Sequence, residues 1–113
     1  MTMIVEERTY TLHPGKTRDF LMLVEIEGLP IQERYLGSPL AYFTTETGTL
    51  NGVVHLWQFC TMGDREEKRA QLAQDHRWIE FTAKVLPLIA RMENRLLVPT
   101  RFSRIGNAPP EMF

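Results

Sequence analysis

The chain has 113 residues, 43% hydrophobic, 10% aromatic and 24% charged, with a net charge of −1 from 13 Lys+Arg against 14 Asp+Glu. One domain accounts for this length, and the apolar content excludes a disordered chain. The charge balance excludes a general attraction to nucleic-acid phosphates or to an anionic membrane surface.

The first eleven residues alternate like a strand and carry Glu6, Glu7 and Arg8, unlike a signal peptide or a transit helix. His13-Pro14-Gly15 stops that strand, and from Lys16 the period changes to three-to-four, with Phe20, Leu23, Val24 and Ile26 or Glu27 on one helical stripe. Gly28-Leu29-Pro30 interrupts the stripe, Ile31 to Leu36 resumes it after a kink, and Gly37 caps it. Leu40 to Thr45 and Leu50 to Cys60 read as an antiparallel hairpin about Thr47-Gly48-Thr49. Thr61-Met62-Gly63-Asp64 is a capping box with Asp in the Glu position; it opens a polar helix that runs through Gln74 and pairs Asp64 with Lys68. A second helix is expected from Arg77 to Met92, kinked or restarted at Pro87, with Trp78, Phe81, Val85, Leu88 or Ile89 and Met92 on its stripe. Asn94 to Phe102 closes the chain as a strand whose Pro99 suits an edge or a bulge.

The order is β-α-β-β-α-β: an α+β, ferredoxin-like fold with a four-stranded antiparallel sheet. The domain is read as residues 1–104 and the aperiodic tail as 105–113, poorly ordered or docked on a neighbour. Cys60, the single cysteine, cannot close an internal disulfide, which points to a reducing, cytoplasmic compartment. Its apolar setting reads as that of a buried structural thiol. No apolar run approaches the roughly 20 residues that cross a bilayer, so no membrane insertion is expected.

The strand from Leu50 sends Val54 and Leu56 to one face and Val53, His55, Trp57 and Phe59 to the other. Both sets are apolar, whereas one layer of helices covers only one face. The surplus predicts a homodimer in which two sheets pack face to face, with a small-molecule cavity between them. Candidate ligand-binding residues are Glu6, Arg8, Tyr10, Tyr42, Trp57, Phe59 and Arg101, and His55 is the candidate catalytic group. Each also has a plainer role: His55 as a hydrogen-bonded core histidine, Trp57 as packing, and Glu6, Arg8 and Tyr10 as a solvated cross-strand cluster. No nucleotide-cradling glycine loop, zinc motif, nucleophile elbow or RNA-binding signature is present, so no cofactor, metal or nucleic acid is expected.

A longer pattern runs through the chain. Arg8-Thr9-Tyr10-Thr11-Leu12 and Pro14-Gly15-Lys16 precede Leu36-Gly37-x-x-Leu40-x-Tyr42-Phe43 and Glu46-x-Gly48-x-Leu50-Asn51. Val53-Val54-His55-Leu56-Trp57, Asp64-Arg65-Glu66, Trp78, Phe81 and Pro99-Thr100-x-Phe102-Ser103 follow. From Glu6 to Ser103 this resembles the NIPSNAP family. The resemblance implies a dimeric αβ-barrel and supplies no settled activity and no catalytic set. The larger eukaryotic members are associated with mitochondria and organelle turnover, and this chain looks more like the short bacterial form.

Three functions follow as expectations. The first is a homodimer binding a small hydrophobic or aromatic molecule between its sheets. The second is a cofactor-independent oxygenase or isomerase using His55 as acid-base group. The third is a protein-interaction module.

Overall fold

Residues rich in β-branched and aromatic side chains form the first strand, β1 (Ile4–Leu12), which ends where Pro14 withholds a donor and Gly15 turns at φ +80°. Helix α1 (Thr17–Leu23) runs through a five-residue π turn (Val24–Gly28) into α2 (Leu29–Leu36). Strands β2 (Ala41–Thr44) and β3 (Gly52–Phe59) form the hairpin, followed by α3 (Met62–Ala73), α4 (His76–Val85), a 3-10 turn (Leu86–Leu88) and β4 (Ile89–Leu97). The computed structural model describes residues 3–107. The sheet order is β2-β3-β1-β4 with every neighbour antiparallel, and the helices lie on one face, as expected of a ferredoxin-like α+β fold.

The interruption at Gly28-Leu29-Pro30 does not break the helix. The chain widens into the π turn, in which the Leu29 N–H donates to the Val24 carbonyl. A wider turn accommodates the Pro30 ring, which in a regular helix meets the carbonyl four residues back. Phe20, Val24, Gly28, Ile31 and Leu36 then point inward, while Ile26 is exposed, contrary to its place on the expected stripe. Gly28 is buried where the helices come closest: a Cβ there would stand 2.6 Å from Phe81 Cε1.

Two further expectations are corrected. The last helix does not continue to Met92. Pro87 sits in the short 3-10 turn, and β4 begins at Ile89, five residues before the expected strand, and ends at Leu97. Pro99 therefore lies beyond the strand. Cys60 is exposed, because β3 ends at Phe59. The Cys60 backbone N–H donates to Asp64 Oδ2 (3.0 Å), which places the residue in the helix-opening turn. The Thr61 half of the expected capping box holds, its Oγ1 accepting from the Asp64 N–H (3.0 Å), while the Asp64 carboxylate reaches one residue past the cap to Cys60; Lys68 lies 3.2 Å from Asp64 Oδ1.

The core joins Leu12, Val53, Trp57 and Phe59 of the sheet to Phe20, Val24, Ile31, Leu36, Leu72, Phe81 and Val85 of the helices. The larger apolar set of β3 thus faces the helices. Val54 and Leu56 remain on the open face with Ala41 and Phe43, their cross-strand partners. At the chain end, the Met3 N–H donates to the Gly106 carbonyl (3.0 Å), and the Asn107 amide donates to the carbonyls of Thr100 and Ser103 (both 2.8 Å). The first residues of the expected tail are therefore folded against their own chain; 108–113 lie outside the described residues.

Replacing Gly28 by Ala is expected to push the Phe81 ring aside and destabilise the protein by about 1–3 kcal/mol, the usual cost of overpacking. Chemical denaturation of wild type and Gly28→Ala checks this, and equal stability would mean that Phe81 has room to move.

Candidate functional site

Strand alternation decides which side chains meet. On β1, Glu6, Arg8 and Tyr10 share the helix-facing side, and their β3 partners in the register are Trp57, His55 and Val53. Tyr42 of β2 lies opposite His55, and Asn94 of β4 lies opposite Arg8. The helices close over this face, so the candidates gather between the sheet and the helices of one chain, and not between two sheets.

His55 is the centre of an aromatic box. Its ring stacks on Tyr42 (centroids 4.5 Å apart, planes at 13°) and meets the edge-on rings of Tyr10 at 4.9 Å and Trp57 at 6.0 Å. Only 1% of the residue is exposed. Nδ1 accepts the Trp57 indole N–H at 2.7 Å, which fixes the neutral tautomer with its proton on Nε2. That Nε2 is buried and has no hydrogen-bond partner among the described residues. Burial, reinforced by the charges of Arg8 and Arg69, pushes the imidazole down from 6.5 to about 3. Near neutral pH His55 is therefore an uncharged donor, a different role from the expected acid-base group.

Behind this box sits a buried carboxylate. Glu6 accepts from Arg8 Nη1 (2.9 Å), from both Nε and Nη2 of Arg65 (3.1 and 3.0 Å), from Arg69 Nε (2.8 Å) and from Asn94 Nδ2 (3.0 Å). Burial alone would raise the Glu6 carboxyl, but Arg65, Arg69, Asn94 and Arg8 outweigh it and bring it from 4.5 down to about 2. Arg8 also donates through Nε to the Tyr10 hydroxyl oxygen (2.8 Å), which leaves the Tyr10 proton to point elsewhere. Burial pushes the Tyr42 hydroxyl well above its ordinary value, so it stays protonated.

A cavity of about 320 Å³ opens beside these groups, with Arg8, Tyr10, Gln32, Tyr42, His55 and Arg69 among its polar lining and Phe20, Val24, Phe81 and Val85 among its apolar lining. A larger hollow of about 530 Å³ lies between α1 and the hairpin, but it is walled by exposed side chains such as Arg18, Met22, Glu25 and Thr44 and contains no buried polar group. The smaller cavity is the candidate site.

Residues 5–104 match the model of the NIPSNAP family. The chain belongs to the NIPSNAP family. It is 38% identical over 104 residues to Protein NipSnap of Drosophila melanogaster, covering 88% of this chain and 36% of that protein. It is 28% identical over 96 residues to the NipSnap homolog of Dictyostelium discoideum, covering 85% of this chain and 42% of the relative. The chain thus spans less than half the length of these curated relatives. A NIPSNAP family protein from Agrobacterium tumefaciens superposes with a TM-score of 0.89 at 45% identity, covering 91% of this chain and 98% of the other. A putative antibiotic biosynthesis monooxygenase from Nitrosomonas europaea superposes with a TM-score of 0.67 at 12% identity, covering 90% and 94%, which shows a shared fold alone. Another Agrobacterium tumefaciens NIPSNAP structure is described as having unknown function, and NIPSNAP membership likewise assigns no activity to this chain.

Of the sequence-derived candidates in this NIPSNAP chain, Arg8, Tyr10, Tyr42 and His55 line the cavity. Glu6, Trp57 and Phe59 lie behind its wall as supports: Glu6 holds the arginines, Trp57 orients His55, and the Phe59 ring lies 5.9 Å beneath the Arg69 guanidinium. Arg101 is exposed in the turn after β4 and is not brought to the cavity. Arg65 and Arg69 of α3 were missed, as were Asn94 and the buried Gln32. A signal existed: Arg65, Arg69 and Leu72 are spaced four and three apart, so both guanidiniums share the face of the one buried residue of α3.

Protonation works in one direction here. His55 and Glu6 both have folded pKa values below their ordinary ones, so the unfolded chain takes up protons first and stability falls with pH. The His55 contribution is complete above pH 6.5 and is lost as pH falls towards 3; that of Glu6 is complete above 4.5 and is lost towards 2. Unfolding free energy is expected to drop between pH 6 and 4.5 by up to about 1.4 kcal/mol per unit from His55. His55→Phe should flatten this slope, and an unchanged slope in urea titrations would show that His55 is not held neutral.

Proposed function

We propose that this NIPSNAP protein is a homodimer in which each protomer binds one small hydrophobic or aromatic molecule in the cavity between its sheet and its helices. One observation carries the reading: His55, buried in an aromatic box, keeps its Nε2–H without an acceptor among the described residues, at the edge of a cavity lined by both polar and apolar side chains. Buried donors are normally satisfied, and an unsatisfied one calls for a partner. The cavity volume lies at the small end of the range for ligand pockets, roughly 300–1,000 Å³. The dimer is supported by the open sheet face, where Phe43 is 57% exposed beside Ala41, Val54 and Leu56. A cytoplasmic setting is supported by the exposed free thiol of Cys60, which a reducing compartment protects. Among the described residues no helix is long and apolar enough to cross a membrane.

A second reading, an enzyme without an organic cofactor, draws on the same imidazole. A neutral His55 can donate to oxygen as negative charge develops on a substrate, but it does not shuttle protons near pH 7.

Binding is tested with 2-naphthol as probe, followed by protein fluorescence. Wild type should bind it, and Ala73→Trp, which adds an indole to the cavity lining, should abolish binding without loss of helix content. Equal binding by both proteins would place the probe elsewhere and overturn the reading. For the assembly, wild type should sediment as a dimer at micromolar concentration, and Phe43→Glu should dissociate at least tenfold more readily. A monomeric wild type would end the dimer proposal.

A further inference from the structure

Three guanidiniums converge on one carboxylate. The side chains of Arg8, Arg65 and Arg69 are 20%, 18% and 19% exposed and that of Glu6 is 0% exposed, which leaves a formal excess of two positive charges in a largely buried cluster. Asn94 adds a further donor to Glu6 and no charge. Excess buried charge is costly unless an opposite charge meets it. Arg69 Nη2 lies 2.8 Å from Glu6 Oε1, but Nε already holds that oxygen, and the buried Nη2 makes no hydrogen bond of its own. Among the described residues, His55 Nε2 is the other buried side-chain donor without an acceptor. Both residues line the same cavity, as does Arg8.

The polar lining of the cavity thus offers donors and positive charge, and its apolar lining offers Phe20, Phe81 and Val85. An inorganic anion would leave those rings facing an empty apolar space. A neutral hydrocarbon would leave the donors unsatisfied and the charge uncompensated. We propose that the cavity selects a small aromatic carboxylate, its oxygens accepting from His55 Nε2 and Arg69 Nη2 and its ring packing on Phe20, Phe81 and Val85. This rests on the small-molecule reading above and specifies the ligand's charge. Arg65 and Glu6 are positioning residues: Arg65 grips the carboxylate bidentately, and Glu6 in turn aims Arg69.

The test compares 2-naphthoate with its neutral isostere 2-naphthamide by isothermal titration calorimetry at pH 7.5. Wild type should bind 2-naphthoate at least about tenfold more tightly, the increment of a hydrogen bond to a charged group. Arg69→Met should remove that preference and leave 2-naphthamide binding within about threefold of wild type. Arg69→Lys, which keeps the charge but withdraws the planar fork, should lose at least threefold for 2-naphthoate. Equal affinity of wild type for the two probes would overturn the anion inference while the cavity reading stands. Binding of neither probe would count against the cavity reading itself. Unchanged 2-naphthoate affinity in both Arg69 variants would also overturn the inference, and the wild-type comparison decides the matter even if both variants fail to fold.

Discussion

The Glu6 carboxylate, fully buried on a central strand, is the constraint around which this NIPSNAP domain is arranged. Its hydrogen bonds reach along β1 to Arg8, across the sheet to Asn94 of β4, and up to Arg65 and Arg69 of α3. Apart from Leu72, no residue of α3 is buried, and the two arginines tie this polar helix to the sheet. Such a network is a poor source of raw stability compared with an apolar core. Its effect is geometric. A guanidinium fork bound to a fixed carboxylate sets the rotation and height of α3, and therefore where the remaining N–H groups point.

The cavity follows from that placement. Arg69 is held over the Phe59 ring, His55 is held by Trp57 and sandwiched against Tyr42, and Tyr10 is held by Arg8. The wide π turn in the first helix contributes from the other side, since it lets Gly28 admit Phe81 close to the backbone. Burial of His55 in the cavity wall holds its imidazole uncharged near neutral pH.

Much of the fold was legible because the punctuation is local. Pro14-Gly15, Gly37, Gly48 and the Thr61–Asp64 box each act on their own backbone, and they separated the elements in the right order. The start of β4 was not legible, since Ile89 and Met92, three apart, suit one side of a helix; they share a side of the strand only through the register shift opposite Thr11 and Leu12, where they pair with Leu12 and Tyr10. Cys60 was misplaced because an apolar run does not announce that its last residue belongs to a helix cap. In the site, the cavity-lining residues Arg8, Tyr10, Tyr42 and His55 could be nominated from strand alternation. Arg65 and Arg69 carried a weaker signal, their spacing with Leu72, because arginines on a polar helix look like a solvated face until a buried acid is found beneath them.

By itself, the sequence determined the family, the βαββαβ order and the fact that β3 carries apolar side chains on both faces. These are properties of neighbouring residues and their periods. Only the tertiary structure decided which face the helices cover, because alternation assigns residues to two sides without saying which side is inside. That choice placed His55 and Trp57 under the helices and left Phe43 and Leu56 on the open face. It also moved the candidate site from between two protomers into the interior of one, where long-range contacts between β1 and α3 supply its charge.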